Sequence, residues 1–87
     1  MAVMIPPKVA KEIRKSGIPK ADWEGLKGRL ERIARDPQGD HPDVERLTGG
    51  GYRVRQGNWR AIYDISSSGN VEVIKVGHRR EVYRQHE

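Results

Sequence analysis

The sequence predicts an α+β domain in which two N-terminal helices pack on one face of a small antiparallel sheet, in the order β-α-α-β-β-β. Helical periodicity is confined to the stretch before residue 36, and period-two alternation begins at residue 52. A segment rich in proline and glycine separates the two patterns. Segregated helices and strands are typical of two-layer α+β proteins. With 87 residues, the chain is expected to form a single domain over residues 1–87.

The first predicted elements are a short strand and a short helix. Residues 1–5 are apolar, and Pro6 and Pro7 end this edge strand because proline cannot donate to a ladder. A helix is expected over residues 7–16, since proline suits a first turn and Gly17 suits a C-cap. Its many lysines and arginines are interpreted as a solvated surface.

The second predicted helix covers residues 18–35. Trp23, Leu26, Leu30 and Ile33 recur at helical spacing and form a single apolar stripe. At this spacing Trp23 is interpreted as a core residue rather than as a platform for stacking a nucleobase.

The segment after the second helix is predicted to be irregular. Residues 43–48 contribute Val44 and Leu47 as core anchors, and three glycines follow at residues 49–51. These glycines lack the Lys-Ser/Thr pair and the following helix of a phosphate-binding loop. We therefore expect only a flexible turn leading into the sheet.

Three β-type runs follow, at residues 52–56, 59–65 and 71–76. Gly57 and Asn58 separate the first two runs, and residues 66–70 form a hairpin loop. The third run is apolar at four of its six positions, which favours a central strand covered on both faces. Gly77 is expected to end it.

Arginines alternate with apolar residues on the first two runs. Arg53, Arg55 and Arg60 are expected on the sheet face that the helices leave open, and Arg79 and Arg80 follow the third run. Guanidinium groups gathered in this way bind phosphate oxygens in a bidentate manner. The sequence therefore predicts a concave, basic face that binds an anion.

Composition narrows the choice of partner. The net charge of +5 favours nucleic acid or an acidic protein, although a solvated basic surface is the alternative. Cysteine is absent, and the three histidines lack the spacing of a metal site, so no metal or other cofactor is expected. The apolar run at residues 1–5 is too short for a signal peptide or a membrane span, which favours a cytoplasmic protein without membrane contact.

The sequence resembles the RelE/ParE toxin superfamily, and within it the RelE ribonuclease branch. The resemblance depends on three spaced motifs: Tyr-Arg-Val-Arg at residues 52–55, Asn-Trp-Arg-Ala-Ile-Tyr at residues 58–63, and Val-Gly-His-Arg at residues 76–79 followed by Val-Tyr at residues 82–83. The N-terminal half fits the superfamily only in its pattern of elements.

This resemblance implies a toxin of a type II toxin–antitoxin system. Such a toxin is a metal-independent endoribonuclease that cuts messenger RNA in the ribosomal A site, where the 2′-OH attacks the adjacent phosphate. Its partners would be the ribosome, messenger RNA and a cognate antitoxin. The predicted RNA-binding residues are Arg53, Arg55 and Arg60, which match the family's basic positions, and Arg80, which is included for its place after the third run.

The resemblance also implies catalytic roles for Arg55, Arg60, Arg79 and Tyr83, and His78 joins these candidate catalytic residues on chemical grounds. Arg60 would bind the phosphate, Arg79 would stabilise the leaving group, and Tyr83 would stack on or orient a base; packing in the core is the alternative for Tyr83. Arginine stays protonated, so Arg53 and Arg55 are poor general bases.

His78 is the best candidate base on chemical grounds. Histidine titrates near neutral pH, and the positive charges of Arg79 and Arg80 favour the neutral form that accepts a proton. Strand alternation leaves open whether His78 faces Arg60, and a structural or merely exposed histidine is the alternative.

Two other functions remain open at this point. A ParE-like inhibitor of DNA gyrase would have the same fold without RNA chemistry. A non-catalytic RNA- or protein-binding relative would bind RNA with a steep salt dependence and would not cleave it.

Overall fold

The computed structural model describes residues 2–80. Two helices precede most of a five-stranded sheet. In chain order the elements are β1 (Val3–Met4), α1 (Pro7–Lys15), α2 (Lys20–Arg35), β2 (Val44–Arg46), β3 (Tyr52–Gln56), β4 (Trp59–Ile65) and β5 (Val71–His78). The α+β class with two helices on one sheet is therefore confirmed.

The sheet has the strand order β1-β5-β4-β3-β2 and is mixed rather than wholly antiparallel. Strand β1 pairs with β5 in parallel, with Val3 opposite Val71, whereas the other neighbouring strands are antiparallel. Parallel neighbours need a long connection, and here both helices and three strands lie between β1 and β5 in the chain. The expectation of a purely antiparallel sheet was wrong for this edge strand.

The junction between the helices is built by local hydrogen bonds. The backbone N–H and the hydroxyl of Ser16 both donate to the carbonyl oxygen of Ile13, at 3.2 and 2.7 Å. The backbone N–H of Ile18 in turn donates to the Ser16 hydroxyl oxygen at 3.2 Å. Gly17 has φ +77°, a left-handed conformation that glycine adopts without strain. The helix therefore ends at Ser16 as its C-cap, and Gly17 is the left-handed residue that follows, one position after the predicted C-cap.

The core lies between the helices and one sheet face. On α2 the predicted stripe is buried at Leu26, Leu30 and Ile33, and Trp23 is partly buried against it. The helix α1 adds two further buried side chains, and the strands complete the cluster with Val54, Ala61, Tyr63, Val71, Val73 and Val76. Among the described residues, no helix is both long enough and apolar enough to cross a membrane.

Three details of the strands differ from the sequence-based expectation. Residues 44–46, predicted to be irregular, form β2 and pair with β3, which places Glu45 opposite Arg53. Strand β5 is central, but it continues through Gly77 to His78, and it is not covered on both faces because Ile74 is 49% exposed. A register shift between Ile62 and Tyr63 in the β4–β5 ladder interrupts the alternation at this point.

Candidate functional site

The register of β3 and β4 aligns the predicted arginines. Arg55 lies opposite Arg60, and Arg53 lies opposite Ile62. Because alternate residues of β4 pack into the core, these four side chains belong to the opposite sheet face, which we call the outer face. The predicted grouping of Arg53, Arg55 and Arg60 on one face is therefore present.

The outer face is less open than the sequence suggested. Arg53 and Arg60 are only 6% and 9% exposed, and Ile62 is buried beside them. Arg55, by contrast, is exposed. Of these three arginines, only Arg55 therefore presents much of its surface to an incoming anion without rearrangement.

Arg53 already forms an ion pair with a carboxylate of its own chain. Its Nη2 donates to Oε2 of Glu45 on the neighbouring strand at 2.9 Å. The arginine is buried and the glutamate is largely exposed, so the carboxylate lies at the surface end of the pair. Burial of a guanidinium is tolerated when a charge-assisted hydrogen bond of this kind compensates for lost hydration.

Arg60 is held by the turn that precedes it. Its Nη1 donates to the carbonyl oxygens of Gly57 and Trp59, at 2.8 and 3.0 Å. Gly57 has φ +59°, as the first central position of a type II′ hairpin turn requires. The guanidinium is therefore fixed by the backbone of its own hairpin, with its orientation set before any ligand arrives.

Arg55 is positioned through its backbone rather than through its side chain. Its carbonyl oxygen accepts a hydrogen bond from Nη1 of Arg29 on α2 at 3.1 Å, and its N–H donates to the carbonyl oxygen of Asp43 at 3.2 Å. Arg29 also forms an ion pair with the Asp43 carboxylate. This triangle fixes the end of β3 against α2 and leaves the Arg55 guanidinium exposed.

The Asp43 carboxyl is a second anion beside these arginines. Burial by itself would raise the pKa of Asp43, but hydrogen bonds and charge from Arg32 and Arg29 outweigh burial and leave the pKa below its ordinary value. Nη2 of Arg32 lies 3.2 Å from Oδ2 of Asp43. Asp43 is therefore engaged with the helix α2.

A small cavity joins these groups. It has a volume of about 50 Å³, and its walls come from three arginines, two carboxylates and a proline: Arg53, Arg55, Arg60, Asp43, Glu45 and Pro42. Such a volume holds only a few water molecules. A phosphate would consequently bind at the exposed rim of the cavity rather than inside it.

Arg79 and Arg80 follow β5 and are exposed. The backbone N–H of Arg79 donates to the carbonyl oxygen of Asn58 at 2.7 Å. This bond brings the backbone of Arg79 to the start of β4, two residues before Arg60. Two positive charges are thereby added at the end of the sheet where Arg55 and Arg60 lie.

His78 lies on the other side of the sheet. It is paired with Trp59, and the two rings form an edge-on contact with centroids 5.6 Å apart. Since Arg60 is the next residue after Trp59, alternation directs its side chain to the opposite face. The structure therefore does not bring His78 together with Arg60, and the role of His78 as the base stays a prediction.

Tyr83 lies outside the described residues. The role that the sequence motif implies for Tyr83 stays a prediction.

Within residues 2–80, no group of three or more histidine and carboxylate side chains is arranged to hold a metal ion.

Sequence reasoning missed the two carboxylates of the site. Asp43 and Glu45 flank Val44, an apolar residue that packs against the core. This polar-apolar-polar alternation is a weak strand signal. The signal is weak because β2 has only three residues and follows a segment rich in proline and glycine.

Comparison with known proteins agrees with this architecture. A family model described as "ParE toxin of type II toxin-antitoxin system, parDE" matches residues 4–83. The chain belongs to this toxin family. It is thus a toxin of a type II toxin–antitoxin system, and the predicted RelE/ParE superfamily is confirmed.

Two solved structures are similar to this toxin in fold. The RelB-RelE antitoxin-toxin complex from Methanococcus jannaschii contains a chain with a TM-score of 0.75 and 18% identity, covering 98% of this chain and 100% of that chain. The archaeal RelE-RelB complex from Pyrococcus horikoshii OT3 gives a TM-score of 0.67 and 23% identity, covering 90% and 93%. No curated protein sequence matches this toxin.

Proposed function

We propose that this toxin is a metal-independent endoribonuclease that cuts messenger RNA in the ribosomal A site. The observation that carries the proposal is the pairing of Arg55 with Arg60 on the outer face, beside buried Arg53. Preorganised guanidinium groups stabilise the charge that develops on a phosphorane during 2′-OH attack. The three sequence motifs that resemble the RelE branch support the same reaction.

In this proposal the exposed and the fixed arginines have different roles. Arg60, held by two backbone carbonyls, orients the scissile phosphate, and Arg55 closes on it from the neighbouring strand. Arg79 stabilises the departing 5′ oxygen, and Arg53 and Arg80 contribute positive potential along the RNA backbone. Tyr83 stacks on a base, as the motif implies.

The proposed partners follow from the charge and from the similar structures. Two of the similar structures are complexes of RelE with RelB, and one of them is described as an antitoxin-toxin complex. We infer that a cognate antitoxin binds this toxin and neutralises part of its +5 charge. The site of action would be the cytoplasm, where the ribosome presents messenger RNA.

The decisive experiment is to express the toxin from a tightly controlled promoter and to map messenger-RNA 5′ ends within minutes. We expect cuts inside translated frames that disappear in the double variant Arg55→Ala/Arg79→Ala. Both arginines are exposed, so the variant should fold. Arg35→Ala, which removes an exposed arginine at the end of α2, serves as the matched control and should cut like the wild type.

A ParE-like inhibitor of DNA gyrase is the second candidate. The observation that favours it is the matching family model, which describes a ParE toxin. Growth arrest with intact messages and a DNA-damage response would favour gyrase inhibition over RNA cleavage. An absence of both arrest and cuts would instead favour a non-catalytic binding relative.

A further inference from the structure

The proposed RNA cleavage requires a group that removes the proton from the 2′-OH. The arginines of the outer face are protonated at all physiological pH values and cannot serve. His78 packs against Trp59 on the other side of the sheet. Among residues 2–80, a base would therefore have to come from outside the sequence motifs.

Glu45 has the required position. It lies opposite Arg53 in the β2–β3 ladder, and its Oε2 accepts a hydrogen bond from Arg53 Nη2 at 2.9 Å. It also lines the small cavity with Arg55 and Arg60. A phosphate bound to those two arginines would lie beside the Glu45 carboxylate.

Glu45 also has the required accessibility. Its side chain is 61% exposed, whereas that of its partner Arg53 is 7% exposed. The buried guanidinium therefore orients one carboxylate oxygen, and the exposed surface of the carboxylate remains accessible to a ribose hydroxyl. The other carboxylate of the cavity, Asp43, is held by Arg29 and Arg32 and faces a helix instead.

We propose that Glu45 is the general base of the cleavage reaction, an inference that rests on the proposed function. The ionised carboxylate takes the proton of the 2′-OH as O2′ forms a bond to phosphorus. The bond from phosphorus to O5′ then breaks, leaving a 2′,3′-cyclic phosphate. The 5′ oxygen takes a proton from water, and the resulting hydroxide removes the proton from Glu45, which restores the carboxylate.

The test measures single-turnover cleavage of messenger RNA on programmed ribosomes. Glu45→Gln preserves the shape of the side chain and an acceptor for Arg53 but is not a base. We expect its cleavage rate to fall by about 10²–10⁴-fold with unchanged affinity for the ribosome. Glu72→Gln is the matched control, because Glu72 is an exposed glutamate on β5, paired with Asp64 rather than with an arginine.

A second variant separates chemistry from positioning. Glu45→Ala should cleave slowly, and added formate should restore part of its rate by supplying a small carboxylate base. A slow Glu45→Ala that formate does not rescue would assign Glu45 a structural role and overturn the inference. Equal rates for wild type and Glu45→Gln would overturn it as well, while leaving the proposed function intact. A wild-type toxin that does not cut messenger RNA would reject both.

Discussion

The imidazole ring of His78 packs edge-on against the indole of Trp59, with centroids 5.6 Å apart and an interplanar angle of 82°. The contact holds His78 on the face opposite Arg60. The backbone N–H of Arg80 donates to Nδ1 of His78 at 3.4 Å, so this ring nitrogen is directed at the backbone of its own segment.

The first prediction concerns this histidine. We expect His78→Gln to leave the ribosome-dependent cleavage rate and its profile between about pH 6 and 8 unchanged. Loss of the ring contact should lower the free energy of unfolding by about 0.5–1.5 kcal/mol. Cleavage assays across this pH range and urea unfolding measure the two effects. A flattened pH profile in the variant would restore His78 as the base.

The second prediction concerns Arg60. Its guanidinium donates to two backbone carbonyls, so Arg60→Ala should lower the free energy of unfolding by about 1–3 kcal/mol as well as abolish activity. Arg55→Ala should cost less than about 0.5 kcal/mol because this side chain is exposed. Urea unfolding of both variants makes the comparison. Equal stabilities would contradict a structural role for the Arg60 hydrogen bonds.

The third prediction concerns the acid sensitivity contributed by Asp43. Its pKa is lowered in the folded state, so its contribution to stability is present above the ordinary value of 3.8 and is lost as the pH falls through the folded pKa. Asp43→Asn should remove about 1 kcal/mol at pH 7 and reduce the loss of stability in acid. Denaturant unfolding at neutral and acidic pH measures this difference, and Asp40→Asn, at an exposed position, is the control.

The fourth prediction concerns Tyr63. Burial, together with the nearby Tyr52, raises the pKa of Tyr63 to about 12 from 10.0. The unfolded chain therefore ionises first, and the stability of the fold should decrease as the pH rises from 10 towards 12. Unfolding measured across this interval should show a smaller decrease for Tyr63→Phe than for the wild type. Parallel decreases in the two proteins would mean that Tyr63 ionises normally.

Much of the fold was predictable because its patterns are local. The stripe of Leu26, Leu30 and Ile33 lies on one side of a helix by spacing alone, and its burial follows from its apolar character. Strand alternation likewise places Arg53 and Arg55 on the sheet face opposite Val54, whichever strands pair with β3. The turn at Gly57 followed from the conformational freedom of glycine.

Features that depend on pairing between separate segments were not predictable. Residues 44–46 have only a weak alternation of polar and apolar residues. They form a strand because β3 provides backbone hydrogen-bonding partners for them. The parallel pairing of β1 depends on β5, which is nearly seventy residues away in the chain. A three-residue strand gains its stability from its neighbours rather than from its own sequence.

The sequence by itself determined the fold class, the apolar stripe and the set of arginines, since each depends on residue type and local periodicity. Tertiary structure decided how those arginines are used. Pairing between strands buried Arg53 against Glu45, and the β-turn fixed Arg60, whereas the side chain of Arg55 is exposed. The same pairing placed Glu45 on the outer face and His78 on the opposite face of the sheet. Strand register has this effect because it sets which side chains of separate segments meet.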